Sequence, residues 1–355
     1  MQSFTYTGQP SRIVFGSGTV GTVGDEVSRL GGNRVLLLAG PRLESLAAVL
    51  TAQLGSRVAA RFDGAAMHTP LDVTTRAMEM AEAADIDCVV AIGGGSATGL
   101  SKALAVRGGY DQIIVPTTYA GSEVTPVLGE TVDGVKTTRN SPAILPETVI
   151  YDVDLTLDLP AAITLTSSIN ALAHAVEALY SAQRNPVTDL MALEAVTSIT
   201  RALPLVMADL RDAEARSALL RAAWLAGTCL GSVGMGLHHK LCHTLGGSFG
   251  LPHARTHTVV LPHAMAYNTP AAHDVMERIA EAMGVPDAAS GVYDLVARLG
   301  GPISLAELGF DAESIPRASE LATAKPYPNP RPVTPAGIRE LLTAATAGHH
   351  PVPGP

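Results

Sequence analysis

The chain of 355 residues is longer than one hydrophobic core usually allows, so its length predicts two domains. The formal net charge of -9 argues against a nucleic acid or an anionic membrane as the main partner, because both bind basic surfaces. A small anionic ligand is compatible with this charge, since a pocket can be locally basic on an acidic protein.

The cysteines and the N-terminal sequence bear on the cellular compartment. Cys88, Cys229 and Cys242 lie in apolar or helix-like segments without CxxC spacing, which is typical of a reducing environment. The N-terminal MQSFTYTGQPSRIVF lacks a basic region followed by an apolar one, and no window has the uninterrupted apolar length of a membrane span. We therefore expect a cytoplasmic protein without a membrane segment.

The first part of the chain alternates short aliphatic runs with amphipathic segments. The runs that we predict as strands are RIVF (12–15), RVLLLAG (34–40), RVAARF (57–62), DCVVAIGGG (87–95) and QIIVP (112–116). The segments that we predict as helices are 20–30, 43–54, 73–84 and 97–106. Apolar runs separated by helices are typical of a parallel sheet covered on both faces, so this part is predicted to be a Rossmann-like α/β domain.

The pattern changes around TVIYDVDLTLDLP at 148–160, after which long Ala- and Leu-rich segments contain no convincing strand. We place a dinucleotide-binding α/β domain at 1–156 and an all-helical substrate and catalytic domain at 157–346. The tail at 347–355 ends in GHHPVPGP and is predicted to be disordered, because so much Pro and Gly cannot continue a helix.

Two glycine clusters compete for the role of phosphate-binding turn. The first, GSGTVG at 16–21, is a literal GxGxxG behind a predicted strand. No Asp or Glu ends the next strand, where a ribose 2′-hydroxyl would be bound, so we interpret this cluster as a turn that begins the first helix.

The second cluster lies between the DCVVAI strand and the next helix and consists of Gly93, Gly94, Gly95 and Ser96. Its glycines would let the backbone approach a pyrophosphate at a helix N-terminus. Ser96 could cap that helix or bind a phosphate oxygen. An ordinary strand-to-helix turn is the alternative interpretation.

Further candidates for the cofactor site follow the neighbouring predicted strands. Thr117 and Thr118 come directly after QIIVP and are expected at the same carboxyl edge of the sheet, where open α/β sheets bind ligands. A set of backbone-bonding caps is the alternative for this Thr-rich turn. Gly40, Pro41 and Arg42 follow the second strand, and the missing acid there would not repel a 2′-phosphate. We therefore predict a cofactor that is either NADH or NADPH.

The second half of the chain holds a dense set of histidines, which are His174, His238, His239, His243, His253, His257 and His263. Asn170 and His174 are one helical turn apart, as are His239 and His243, so each pair shares a helix face. A lone helical histidine is usually structural, but so many together indicate a functional site. A polar core in which the rings satisfy one another is the alternative.

The run GLHHKLCHTLGG at 236–247, with LPH at 251–253 and THTVVLPH at 256–263, resembles the maleylacetate reductase version of the iron-containing alcohol dehydrogenase signature. The resemblance covers nearly the whole chain, from FTYTGQPSRIVFGSG through GGGSATGLSKALA and PTTYAGSEVTP to NPRPVT. It implies a fold of the iron-alcohol-dehydrogenase and dehydroquinate-synthase type, with a Rossmann-like domain followed by an all-α domain. It also implies a homodimer.

The resemblance bears on metal binding. In metal-dependent relatives, an Asp and three His hold iron or zinc at the positions of Asn170, His174, His239 and His253 in this sequence. An amide oxygen is a neutral and weaker ligand than a carboxylate, so the replacement at Asn170 should lower the affinity for a divalent cation. The resemblance therefore implies an enzyme without a metal, in which these four residues are a vestigial site.

The reaction that the resemblance implies is reduction of the carbon–carbon double bond of maleylacetate, a dicarboxylate, to 3-oxoadipate during degradation of aromatic compounds. Hydride addition β to the ketone leaves an enolate, which hydrogen-bond donors or an imidazolium can stabilise without a cation. We assign His243 as the favoured proton donor or enolate stabiliser, with His174, His239 and His253 beside the oxyanion.

Two further side chains are candidates for the same reaction. Lys240 could bind a substrate carboxylate, although a solvated surface charge is an equally good interpretation. Tyr119 is a second candidate donor.

Two other functions stay open at this point. A metal-dependent alcohol or polyol dehydrogenase of the same superfamily would be expected to carry Asp rather than Asn at position 170. A binding protein without activity is disfavoured by the intact glycine turn and the intact histidine set.

Overall fold

The computed structural model describes residues 3–132 and 135–352, which form two compact units. One unit is Gly8–Leu159, and the other is the chain from Pro160 onward together with the segment before Gly8. We assigned that N-terminal segment to the α/β domain, but residues 3–8 are exposed and add no strand to the sheet.

The α/β unit is built on a six-stranded sheet whose paired strands are all parallel. Its strands are β1 (Arg12–Gly16), β2 (Val35–Ala39), β3 (Val58–Phe62), β4 (Cys88–Gly93), β5 (Asp111–Pro116) and β8 (Thr148–Asp152). Their order across the sheet is β1-β8-β5-β4-β2-β3. Every residue of β2, β4 and β8 is buried, as expected for central parallel strands between helical layers.

Four helices connect these strands, namely α1 (Val23–Arg29), α2 (Glu44–Leu54), α3 (Leu71–Ala83) and α4 (Gly95–Gly108). Apolar residues of α1 and α2 pack with alternate residues of β2 and β4, such as Val35, Leu37, Val90 and Ile92, in one cluster. Side chains that alternate along a strand point to the same face, so this cluster is the core of one sheet face. The predicted parallel α/β fold is confirmed.

A hairpin in this unit was not predicted. Strands β6 (Val127–Val132) and β7 (Val135–Asn140) pair antiparallel, apart from the main sheet. Both strands mix Thr, Gly and charged residues with few aliphatic ones, so neither gives the apolar run that identified the other strands.

The second unit consists of helices and short turns throughout the part that the structure describes. The helices are α5 (Ala161–Tyr180), α6 (Pro186–Ala208), α7 (Ala213–Val233), α8 (Leu237–Phe249), α9 (His253–Asn268), α10 (His273–Met283), α11 (Ala288–Arg298), α12 (Ile315–Thr323) and α13 (Pro335–Ala347). Residues 164–180 of α5 are all buried, and this helix packs against α6, α7 and α9. A helix that is buried all round forms the centre of a bundle. The predicted helical second half is confirmed.

Helix α6 is the one described helix that is long and apolar enough to cross a membrane, and the bent pair of α7 and α8 would add at most one more span. Core helices of soluble proteins pass the same test, so this is weak evidence for a membrane. The helix also carries Asp189, Glu194 and Arg201, and Asn185 and Thr188 form a capping box at its start.

The C-terminal tail differs from the predicted disorder. The carbonyl of Gly348 accepts a hydrogen bond from the Tyr293 hydroxyl at 2.7 Å, and the His350 ring contacts Asp294 at 3.2 Å. Pro351 is buried. Side chains of α11 therefore hold this segment although it cannot be helical, while 353–355 lie outside the described residues.

Candidate functional site

The predicted cofactor residues of the α/β unit follow three adjacent strands. Gly40 follows β2, Gly93 ends β4, and Thr117 follows β5, and these strands are neighbours in the order β5-β4-β2. Because the strands are parallel, their carboxyl ends lie along one edge of the sheet. The structure thus brings together the predicted set, while Pro41 and Arg42 lie exposed in the short helical turn after Gly40.

The turn between β4 and α4 has the backbone geometry that requires glycine. Gly93 has a φ of 147°, and its carbonyl accepts a hydrogen bond from the Thr117 amide at 3.0 Å. A Cβ on Gly94 would lie 3.0 Å from Cγ2 of Thr118, whereas a Cβ on Gly95 would meet nothing within 4 Å. The two loops are therefore in contact, and open space lies over the first residue of α4.

The first turn of α4 is free of a side-chain cap. We expected Ser96 as a possible N-cap, but the N-cap is Gly94 and Ser96 lies inside the helix. A glycine N-cap offers no side-chain oxygen to the first amides of the helix. Those N–H groups and the positive end of the helix dipole are thus available to an anion.

The competing GxGxxG at 16–21 is already filled by a carboxylate of the protein. The Asp152 side chain accepts hydrogen bonds from the amides of Gly18 at 3.1 Å and Val20 at 2.8 Å. This residue ends β8, which pairs with β1, so sheet pairing places the acid at the turn. An anion of the chain thus occupies the position where a phosphate would bind, which agrees with our interpretation of this cluster as a structural turn.

A buried lysine holds the loop after β5. Lys102 of α4 donates from Nζ to the carbonyls of Ser122, Thr125 and Val127, at 2.7 Å for Thr125 and 3.0 Å for Val127. Burial lowers the pKa of this lysine to about 7, against the raising effect of the Glu123 charge. Tyr119 in the same loop is completely buried within the α/β unit.

In the helical unit, the histidines of α5, α8 and α9 form one group of rings. The His174 and His239 centroids are 5.1 Å apart, and His257 lies 5.0 Å from His239 and 4.2 Å from His253. His243 stacks on His253 at 6.3 Å. Sequence-distant rings on three helices are thus brought together as predicted, and His243 and His253 are the less buried members.

The group is organised by a carboxylate that our sequence analysis did not single out. Glu177 of α5 is buried, and its oxygens accept hydrogen bonds from the amides of Gly236 and His238, both at 2.7 Å, and from the Tyr180 hydroxyl at 3.1 Å. Its Oε2 also lies 2.7 Å from Nδ1 of His239. Burial raises the pKa of the Glu177 carboxyl, but several lowering effects, of which the charge and hydrogen bond of His239 are the largest, together bring the pKa down to about 2.

The ionised Glu177 fixes the orientation of His239. Because Nδ1 faces the carboxylate, this nitrogen carries a proton and Nε2 points away from Glu177. Nε2 of His239 is buried without a hydrogen-bond partner in the described structure. It is thus the ring atom that is available to a ligand. The signal in the sequence was the spacing of Asn170, His174 and Glu177, which puts all three on one face of α5.

Two further histidines pair with each other behind this ring. Nε2 of His238 lies 2.9 Å from Nδ1 of His257, and both side chains are buried. Burial lowers the pKa of His238 to about 3, with a further lowering from the charge of His239. Burial also lowers the pKa of His257 well below its usual value. Both rings are therefore neutral near pH 7.

The donor set of the metal-dependent relatives is changed at one position here. Asn170 supplies a neutral amide instead of a carboxylate, and the nearby anion, Glu177, is engaged with four donors. Among the described residues, the donor atoms that converge within 4.8 Å belong to His238, Cys242 and His257, not to the vestigial set. The vestigial site therefore lacks the negatively charged ligand that a divalent cation favours.

Lys240 lies on α8 between these histidines in sequence and is half-buried. Residues three or four apart share a helix face, so Lys240 shares a face with His243 but not with its neighbour His239. Its assignment to a substrate carboxylate stays a prediction.

Comparisons with known proteins agree with the resemblance. The iron-containing alcohol dehydrogenase family matches residues 10–153, and the C-terminal part of that family matches residues 164–346. Maleylacetate reductase 1 of Rhodococcus opacus is 56% identical over 98% of this chain and 98% of its own length. The crystal structure of maleylacetate reductase from Rhizobium sp. strain MTP-10005 has a TM-score of 0.94 and 53% identity over 99% of this chain and all of that one. The maleylacetate reductase structure from Agrobacterium tumefaciens has a TM-score of 0.94 and 52% identity over the same shares.

Proposed function

Because the chain belongs to the iron-containing alcohol dehydrogenase family and is an oxidoreductase of its maleylacetate reductase branch, we propose that it reduces the carbon–carbon double bond of maleylacetate to 3-oxoadipate. The observation that carries the proposal is the 56% identity over 98% of both chains. The histidine group held by Glu177, with Asn170 in place of an acid, supports it from the structure.

The α/β unit supplies the nucleotide site in this proposal. The pyrophosphate of NADH or NADPH would lie over Gly94 and Gly95, on the uncapped N-terminus of α4. Thr117 and Thr118 would donate hydrogen bonds from the adjacent loop. The absence of an acid after β2, with Arg42 beside it, supports acceptance of both cofactors. When bound, the cofactor supplies a hydride.

The helical unit supplies the chemistry on the dicarboxylate. After hydride addition at the alkene carbon β to the ketone, charge develops on the ketone oxygen, and the imidazoles of His174, His239 and His253 stabilise it by hydrogen bonds. Glu177 keeps the His239 ring fixed for this role. His243 gives a proton to the carbon α to the ketone, which completes the saturated product.

We propose that this reaction proceeds without a metal. The family name refers to iron, but Asn170 supplies a neutral amide at the position where the metal-dependent relatives carry a carboxylate. Conjugate addition gives a delocalised anion, which needs less electrostatic help than the alkoxide of a saturated alcohol.

The decisive experiment follows NADH oxidation with freshly prepared maleylacetate against a panel of simple aldehydes and ketones. We expect turnover with maleylacetate and little with the panel. Turnover confined to alcohols or carbonyl compounds, dependent on added iron or zinc, would contradict the proposal and favour a metal-dependent dehydrogenase. NADH binding without any turnover would point to a binding protein.

The role of His243 is tested by His243→Ala. We expect kcat to fall by about 100-fold or more, the usual contribution of a positioned acid, while the affinity for NADH changes little. A matched control is His273→Ala, since His273 is an exposed histidine of α10. An unchanged kcat would remove His243 from this role.

A further inference from the structure

Three donor atoms of the helical unit converge at a place that the proposed reaction does not use. His238 and Cys242 are four residues apart on α8 and share a helix face, and His257 faces them from α9. Nε2 of His238 lies 2.9 Å from Nδ1 of His257 and 3.7 Å from Sγ of Cys242. All three ligand atoms lie within 4.8 Å of one another, and all three side chains are fully buried.

These separations are close to those of a tetrahedral zinc site. With Zn–N bonds of about 2.0 Å and a Zn–S bond of about 2.3 Å, two nitrogen ligands are roughly 3.3 Å apart and a nitrogen and a sulfur ligand roughly 3.5 Å apart. The nitrogen–sulfur separation of His238 and Cys242 is 3.7 Å, within about 0.2 Å of the tetrahedral value. The two imidazole nitrogens would need to separate by about half an ångström, which small side-chain rotations provide.

The protonation states allow both rings to act as ligands. The nitrogens that face each other now share one proton, and metal binding requires that proton to leave this position. Nδ1 of His238 and Nε2 of His257 are buried without a hydrogen-bond partner in the described structure, so each ring can carry its proton there. Both rings then stay neutral, and the Cys242 thiol loses its proton to solvent when sulfur binds the cation.

The charge of the bound ion is balanced locally. A divalent cation with one thiolate leaves a net charge of +1, and the ionised Glu177 lies next to His238, whose amide donates to it at 2.7 Å. A buried anion in contact with the same residue offsets part of the cost of burying the cation.

We propose that His238, Cys242 and His257 form a binding site for a borderline-soft divalent cation such as Zn²⁺, separate from the vestigial site. Mixed nitrogen and sulfur ligands select such ions over Mg²⁺ or Ca²⁺, which prefer oxygen. Three protein ligands are also the number in zinc sites that keep one position for a small ligand.

Occupation of this site inhibits the reduction, an effect that rests on the proposed function. His257 is 4.2 Å from His253 and 5.0 Å from His239 by ring centroids, so a ligated His257 displaces rings that stabilise the enolate. Inhibition should appear in kcat rather than in the KM for NADH, since no cofactor residue belongs to this cluster.

The binding test is a titration of metal-free, full-length protein with Co²⁺, which replaces Zn²⁺ and gives a thiolate-to-cobalt charge-transfer band. We expect about one Co²⁺ per chain with this band. Cys242→Ser should abolish the band, and Cys229→Ser, which alters an equally buried cysteine on α7, should leave it unchanged. His257→Gln should weaken Co²⁺ binding by more than about 10-fold, because loss of a residue that only supports a metal ligand already lowers metal affinity by about this much.

Several results would overturn the site. These are the lack of a charge-transfer band in the unaltered protein, a band that persists in Cys242→Ser, or a band that disappears in Cys229→Ser. If Cys242→Ser does not fold, Cys242→Ala replaces it. X-ray absorption at the cobalt edge of the unaltered protein must in any case show one sulfur ligand.

The inhibition experiment tests this site and the proposed reaction independently. Zn²⁺ should lower maleylacetate reduction in the unaltered protein, and Cys242→Ser should keep its basal activity and become insensitive. A protein that binds Co²⁺ through sulfur but does not reduce maleylacetate would keep the site and reject the proposed function. Equal zinc sensitivity in Cys242→Ser would reject inhibition through this site.

Discussion

The glycine turn of the α/β unit and the histidine group of the helical unit are built in opposite ways. The turn at Gly93–Gly95 uses main-chain amides at the start of α4 and depends on what its residues lack, a Cβ and a side-chain cap. The histidine group uses side chains from three helices, and Glu177 fixes it through four hydrogen bonds. Adding atoms should therefore damage the first site, whereas removing one charge should damage the second.

The largest effect is expected for Glu177→Gln. Each carboxylate oxygen of Glu177 accepts hydrogen bonds from two donors. The glutamine side chain would replace one of these oxygens with an NH₂ group, which cannot accept from the two donors that face it. Breaking such a buried charged network typically costs about 3 to 5 kcal/mol. We expect a loss of this size in the free energy of unfolding, measured by urea denaturation, together with a large fall in kcat.

A matched control for this change is Glu281→Gln, which neutralises an exposed carboxylate of α10. It should change stability by less than about 0.5 kcal/mol. If Glu177→Gln is as stable as this control, the four hydrogen bonds do not hold the histidine group together.

The buried histidines should make the protein sensitive to mild acid. Burial lowers the pKa of His238 to about 3 and that of His263 to about 4, from 6.5. Unfolded chains take up these protons near pH 6.5 and the folded protein does not, so stability is present above pH 6.5 and falls as pH drops toward the folded pKa values. Each ring should account for about 2 kcal/mol between pH 7 and pH 5.

Denaturation at a series of pH values measures this slope. His263→Leu should flatten the decline, because it removes one of the buried rings, while His273→Gln at an exposed position should not. Stability that is flat between pH 7 and pH 5 would mean that these rings are protonated in the folded protein. The Glu177 carboxyl adds a separate loss below pH 4.5, down to its folded pKa of about 2.

Sequence reasoning succeeded where structure depends on neighbouring residues. A buried strand, three glycines and a helix follow one another from Cys88 to Gly108, and that order alone predicted the glycine turn at the start of α4 that the structure has. The i,i+4 spacings of Asn170 with His174 and of His239 with His243 likewise placed these residues on shared faces.

It failed where the partner is distant along the chain. Asp152 fills the GxGxxG turn at Gly18 because β8 pairs with β1, and nothing near Gly18 in sequence announces that pairing. Glu177 could be placed on the face of His174, but its contact with His239 depends on how α5 meets α8. The contact of His350 with Asp294 was likewise not predicted, because it depends on the position of α11.

The smallest expected effect tests the two glycine clusters against each other. A Cβ on Gly95 would enter open space, and Ala favours the first turn of a helix over Gly, so Gly95→Ala should leave stability unchanged or raise it by up to about 1 kcal/mol. If a pyrophosphate occupies that space, the same methyl group blocks it, and the KM for NADH should rise by about 10-fold, which corresponds to about 1.4 kcal/mol.

Gly21→Ala is the matched control, because Gly21 is also exposed and its Cβ would also meet nothing within 4 Å. It belongs to the cluster whose amides Asp152 already occupies, so neither stability nor the KM for NADH should change appreciably. The opposite pattern would be a raised KM for NADH in Gly21→Ala and an unchanged one in Gly95→Ala. It would place the nucleotide at the first cluster, where a phosphate would have to displace the Asp152 carboxylate. Two methyl groups of equal size thus distinguish a turn that binds a ligand from one that binds its own chain.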